Sequence, residues 1–144
     1  MIQEISSEQT YPLRSEILRW GKVPPEQCAN PEDALPGSFH LGYFEEKELL
    51  GIASFHIESM PDMPNVSAYR LRGMAVAKNY QNKGIGKKLI QHAIALLKSK
   101  NVAYLWCNAR TSAMYFYEKM NFEVFSEEFD IPNIGPHYRM RIKL

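Results

Sequence analysis

The chain has 144 residues, 45% hydrophobic and 23% charged, enough for one buried core, short of two ordinary domains, and unlike a disordered or fibrous polypeptide. With 17 basic against 16 acidic residues the net charge is +1, which excludes a global field for nucleic acid or an anionic membrane, so any anion site must be local. No apolar run approaches a membrane span, residues 1–5 lack the basic-then-apolar order of a secretion signal, and Cys28 and Cys107 stand far apart without metal-ligand spacing. A cytoplasmic protein with reduced thiols and no metal site is expected.

In chain order, a strand at 2–5 is expected to give way at Ser6-Ser7-Glu8 to a helix with Leu13, Ile17 and Leu18 at helical spacing, ending at Trp20-Gly21. Residues 24–37, rich in Pro, Asn and Asp, read as a long loop with room for one helical turn. Residues 39–44 and 49–58 are β-prone runs around a polar turn, which is a hairpin pattern. Residues 70–76 read as a strand, and Gly73 inside it hints at a bulge or a close backbone approach. From 84 to 100, Leu89, Ile90, Ala93, Ile94 and Leu97 form one apolar stripe of a helix. A strand at 102–107 follows, then a helix opened by Thr111-Ser112 and ended near Met120 by Asn121, then closing strands at 122–125 and 138–142. This order predicts an α+β chain of one domain over 1–144, with a mixed, mostly antiparallel, twisted sheet of about seven strands and helices on both faces.

A strand feeding a Gly-containing loop that opens a helix suits phosphate: the first helical amides lack internal partners, their dipoles add, and glycine admits an anion close to the backbone. Gln81-Asn82-Lys83-Gly84-Ile85-Gly86-Lys87-Lys88 has this form, with three lysines beside it. A dinucleotide fingerprint fails, because Leu89 stands where the third glycine belongs and no acid occurs at Tyr104-Leu105-Trp106. A Walker loop fails too, with Gln81 in place of its first glycine and Lys88 in place of its hydroxyl residue.

The spacing Gln81-x-x-Gly84-x-Gly86 resembles the Q/R-x-x-G-x-G/A pyrophosphate loop of the GNAT superfamily of N-acetyltransferases. The resemblance covers about 70–126: a bulged strand, the loop and its helix, a further strand, and a second helix ending Ala113-Met114-Tyr115-Phe116-Tyr117-Glu118-Lys119-Met120-Asn121-Phe122. That ending is similar to the family's A-x-x-x-Y-E-K-x-G-F, with Asn121 for glycine. The resemblance implies transfer of an acetyl group from acetyl-CoA, a co-substrate, to a primary amine on a small molecule or peptide, with no metal. It also implies a sheet splayed between the strands at 70–76 and 102–107. Coenzyme A pyrophosphate would rest on Gln81, Asn82, Lys83, Gly84, Ile85, Gly86, Lys87 and Lys88, and its pantetheine arm along Met74, Ala75 and Val76. Tyr117 stands at the family's position for the general acid, and Asn108 could hold a water or the amine.

Plainer readings stand beside these. Tyr117 lies in an aromatic run that could simply pack, the lysines could be a solvated face, and Asn108 could merely be a polar strand end. The base is open among His40, His56 and His137, with His92 on a solvated helix face. Arg70, Arg72 and Arg110 suit an acidic acceptor, although ordinary ion pairs are the simpler account. A non-catalytic CoA-binding or sensing module would keep the same loop, and a homodimer stays open.

Overall fold

The structure, a computed structural model, describes residues 1–144 and begins with β1 (Ile2–Ile5) and α1 (Ser7–Leu13). At the start of α1 the Ser6 hydroxyl accepts from the Gln9 amide and the Gln9 side chain accepts from the Ser6 amide, so two donors that a helix end leaves open are satisfied reciprocally. Pro12 removes one helical donor, and beyond it the chain widens into a π-type turn over Arg14–Leu18 whose inner residues Arg14 and Ser15 are buried. Trp20 and Gly21 end the segment with φ of 51° and 71°. The Pro-rich loop that follows holds two short 3-10 turns, Pro25–Gln27 and Pro31–Ala34, where one turn was the expectation.

The remaining elements are β2 (Phe39–Glu45), β3 (Glu48–Ile57), β4 (Ala68–Val76), α2 (Ile85–Ser99), β5 (Tyr104–Arg110), α3 (Met114–Glu118), β6 (Glu123–Val124), β7 (Phe129–Ile131) and β8 (Gly135–Lys143). They form one sheet of eight strands in the order β1-β2-β3-β4-β5-β8-β6, with β7 also pairing β8. All neighbours are antiparallel except β4 and β5. The strand beyond the expected seven is β7, three residues long and so too short to show an alternation. Strand β5 also starts later than the pattern indicated, because Asn101 takes a φ of 60° and the Val102 amide turns back to Leu97 O at 3.2 Å. Val102 thus serves the end of α2 and not the start of the strand.

Helix α2 lays Leu89, Ile90, Ala93 and Leu97, all fully buried, against Phe39, Leu50, Phe55, Leu71 and Leu105 on one face of the sheet. On the other face Leu13 of α1 packs with Ile5, Ile52 and Ala75. No helix is long and apolar enough to cross a membrane. Gly51 of β3 lets α2 sit close, since a Cβ there would lie 2.6 Å from Ile85 Cγ2 and 3.3 Å from Leu89 Cδ1. Gly51→Ala should therefore overpack the first turn of α2 and cost about 1–3 kcal/mol. Urea unfolding should show it as a lower midpoint at unchanged m value; a midpoint within error of wild type would mean that the turn moves freely.

Candidate active site

The site begins with one extra residue in β4. Ile52 pairs with Ala75 and Ser54 with Arg72, so Gly73 and Met74 together stand opposite Ala53. Gly73 absorbs the irregularity with a φ of 79°, a conformation that costs glycine little. Because strand side chains alternate, the bulge reverses the facing of everything beyond it. Before it Leu71 joins the core under α2; after it Met74 and Val76 do, while Ala75 joins the cluster under α1. Arg70 and Arg72 consequently lie on the α1 side.

The second feature is a divergence of strands. Pairing of β4 with β5 runs only from Ala68 with Tyr104 to Arg70 with Trp106. Beyond that rung β4 stays on β3 as far as Val76, and β5 stays on β8 as far as Arg110, so the two part in the middle of the sheet. The expected splay is present, and a cavity of about 740 Å³ opens at it. Met74 and Asn108 line the two diverging edges and Tyr117 reaches the cavity from α3. Ala75 and Val76 continue along the edge of β4 that lacks a β5 partner.

At the end of β4 the Gln81 side-chain amide donates to Val76 O at 3.1 Å and ties the loop to the strand. Asn82 and Gly84, with φ of 63° and 85°, reverse the chain so that α2 opens at Ile85 without a side-chain cap. Lys88 is the first amide to find a helical acceptor, Gly84 O at 3.0 Å, and the amides of residues 82–87 donate to no protein acceptor. A Cβ on Gly86 would lie 3.4 Å from Met74 Cε and 3.5 Å from Phe116 Cζ, so this glycine marks where β4, α2 and α3 meet. Lys83 and Lys88 rest their ammonium groups over the rings of Tyr80 and Tyr43, at 5.3 and 5.7 Å from the centroids. Lys87 is exposed and has no such partner.

Asn121, with a φ of 70°, ends the segment after α3 in the left-handed conformation expected of the residue replacing glycine. Tyr117 is buried, edge-on to Phe116 at 5.1 Å and Phe122 at 5.3 Å, with its hydroxyl beside the Cys107 thiol. Burial above all, and then Cys107, push the Tyr117 hydroxyl well above the usual tyrosine range. Burial also pushes the Cys107 thiol up to about 12, against the opposing pull of the Tyr117 hydrogen bond and the Arg70 charge. Both groups are neutral at pH 7, so Tyr117 offers a proton and Cys107 offers no thiolate.

Asn108 stands two residues past the last β4 rung with its Oδ1 buried and without a hydrogen-bond partner. Among the histidines the cavity takes in His137, whose Nδ1 lies 2.7 Å from Gly135 O. Since a carbonyl only accepts, Nδ1 carries a proton, and in the neutral ring Nε2 is then the acceptor. His40 and His56 lie away from the cavity, against Ser54 Oγ at 2.7 Å and Glu58 at 2.9 Å, and His92 is exposed on α2. Arg70 and Arg72 do form ion pairs, with Glu58 and Glu32, whereas Arg110 lies over the Trp20 ring. Sequence reasoning passed over Arg14, which reaches the cavity from the turn after α1. Its signal was available: Arg14 precedes Ile17 and Leu18 by three and four residues, so a charge occupies the apolar stripe.

Comparison with known proteins agrees with this architecture. A family model described as the acetyltransferase (GNAT) family matches residues 3–122. The chain is 44% identical over 139 residues to the uncharacterized N-acetyltransferase YitI of Bacillus subtilis, covering 96% of this chain and 93% of the relative. Among solved structures, an aminoglycoside 6'-N-acetyltransferase complexed with coenzyme A superposes with a TM-score of 0.74 at 14% identity, over 99% of this chain and 96% of that one. The ribosomal-protein-S18-alanine N-acetyltransferase of Escherichia coli gives 0.71 at 17% identity, over 99% and 92%. Sharing both the family pattern across most of its length and a relative that spans nearly all of it, the chain belongs to the acetyltransferase (GNAT) family.

Proposed function

We propose that the chain transfers an acetyl group from acetyl-CoA to a primary amine by direct attack, with Tyr117 as the general acid. The observation that carries this reading is the run of unpartnered amides over residues 82–87, at the start of a 15-residue helix and next to the open edge of β4. Aligned donors at a helix start favour a diphosphate, and Lys87 adds a full charge that no protein group occupies. The unpaired edge along Met74, Ala75 and Val76 suits an extended amide-bearing arm that adds to the sheet as a strand would. A thioester delivered this way ends in the cavity, near Tyr117 and Asn108.

The amine must attack in its neutral form, and at a lysine-like pKa near 10.4 its deprotonation costs roughly 4–5 kcal/mol at neutral pH. His137 Nε2 can take that proton, directly or through a water. As nitrogen bonds to the acyl carbon, the carbon–sulfur bond breaks. The departing sulfur takes its proton from the Tyr117 hydroxyl, which is refilled from the nitrogen that lost one. Asn108 Oδ1, a buried acceptor without a donor, can hold an N–H of the amine at the open strand edge.

Two measurements test the reading. Calorimetry with coenzyme A should show saturable binding, and no heat at millimolar concentration would remove the loop from cofactor binding. Acetyl-CoA mixed with the protein and a panel of primary amines should release free thiol with acceptor-dependent rates. Binding without thiol release across the panel would leave a cofactor-binding module.

A further inference from the structure

Five arginines line the cavity, and no aspartate or glutamate does. Arg14 is 3% exposed and fixed by four bonds: Nη1 donates to Cys28 O at 3.0 Å and Asp33 Oδ2 at 2.8 Å, and Nη2 to Asp33 Oδ1 at 2.9 Å and Ser54 Oγ at 2.8 Å. Its remaining donor, Nε, is buried without an acceptor. Arg70 repeats the arrangement, with Nη1 on Glu58 at 3.3 Å, the guanidinium 5.3 Å from the Trp106 ring centroid, and Nε again buried without an acceptor. Arg72 is paired with Glu32, while Arg19 and Arg110 make no ion pair. The carboxylates that hold Arg14, Arg70 and Arg72 stand behind them, off the cavity wall.

A buried N–H on a guanidinium without an acceptor is an unsettled cost, and two of them at one cavity is a request for an anion. From this we infer that the acceptor is a small primary amine that also carries a carboxylate. The carboxylate is taken by Nε of Arg14 and Nε of Arg70, with Arg19 and Arg110 adding charge nearby. The inference rests on the acyl-transfer reading and names its substrate class. The bulge places Arg70 on the α1 side of the sheet while Met74 and Val76 turn to the α2 side, so the arginines face the half of the cavity away from the pyrophosphate loop. A volume of about 740 Å³ is that of a small-molecule site and must also admit the acyl end of the cofactor. The same cationic wall opposes a polyamine and favours the neutral, attacking form of an amine held near it.

The chain carries its own reporter. Its two tryptophans both lie against cavity arginines, Trp106 under Arg70 and Trp20 under Arg110 at 5.7 Å. Tryptophan emission of the protein–coenzyme A complex is therefore titrated with N-acetyl amino acids, the product-like acids, and with their C-terminal amides. Acids should saturate the change, with the matched amides weaker by roughly tenfold or more. Arg70→Lys keeps the charge but loses Nε, and should reduce that preference several-fold; a far-ultraviolet spectrum and melting curve like wild type show that the variant is folded. In the thiol-release assay, amino carboxylates should outpace their amides and polyamines. Equal binding of acid and amide, or faster turnover of polyamines, overturns the carboxylate assignment and leaves acyl transfer standing. Selective binding of acids without thiol release from any amine sinks the transfer reading, and with it the role of acceptor, while showing the anion site by itself.

Discussion

Tyr117→Phe is expected to lower kcat roughly a hundredfold to ten-thousandfold, the range for loss of a placed general acid, while coenzyme A binds with unchanged affinity. The substitution removes one oxygen and keeps the ring that packs edge-on against Phe116 and Phe122, so the fold should not register it. Cys107 loses a hydroxyl neighbour, yet burial alone already holds its thiol protonated, so no new nucleophile appears. The affinity should stand because the amides proposed to hold the diphosphate lie at the start of α2, and Tyr117 lies in α3. On the proposed mechanism, only proton delivery to the departing sulfur is removed. A tyrosine that merely fills the core predicts the opposite pattern, with kcat intact in a working assay.

The pH dependence of the wild-type rate follows from the same surroundings. Because the hydroxyl is raised well above the tyrosine range, it remains protonated from neutral pH to at least 9 and produces no alkaline loss there. The attacking amine gains its neutral form as pH rises. The rate should therefore climb from pH 6 to 9 without a falling limb, in wild type and in Tyr117→Phe alike, the variant curve lying lower throughout. A falling limb near pH 8 in the wild type alone would mean that Tyr117 ionises there and is a poor candidate for the acid.

The loop side of the site was more legible in the sequence than the arginine side, for a physical reason. Phosphate binding at a helix start is a local property: Gln81, Gly84, Gly86 and the apolar stripe from Leu89 to Leu97 all lie on one continuous stretch. Tyr117 could be singled out for a similar reason, since its helix ending is also contiguous. The arginine side is assembled from distant pieces, with Arg14 and Asp33 brought together across 19 residues and Arg70 and Glu58 across 12. Proline-rich residues 24–37 give no periodicity to read, and only the fold turns Asp33 inward. Gly73 lay between these cases: the strand pattern flagged an irregularity, but that it moves Met74 to the face opposite Arg72 required the register with β3. Likewise, His40, His56 and His137 were equivalent in sequence until the antiparallel pairing of β5 with β8 set His137 opposite Arg110.

The Arg14–Asp33 pair should show the second large effect, on stability. Arg14 and Asp33 are 3% and 11% exposed, and their fork of bonds at 2.8 and 2.9 Å is shielded from water. Burial opposes the charge on Asp33, but the hydrogen bonds and charge of Arg14 outweigh it and hold the carboxyl below its usual value of 3.8. His40 Nε2, 3.9 Å from Asp33, does not replace Arg14 at pH 7, since burial holds its imidazole below the usual range and so neutral. Asp33→Ala leaves a guanidinium buried without its counter-ion and should destabilise the protein by about 3–5 kcal/mol in urea unfolding. Arg14→Met with Asp33→Leu removes both desolvated charges and should recover most of that loss, because the native pair also bears the cost of leaving water. A depressed carboxyl contributes stability that is complete above its unfolded value and vanishes as pH falls through the folded one. The advantage of wild type over Asp33→Ala should thus be present at neutral pH and shrink below about 4. A single variant within 1 kcal/mol of wild type, or a double variant no more stable than the single, would show that Arg14 is held by the surrounding backbone and not by Asp33.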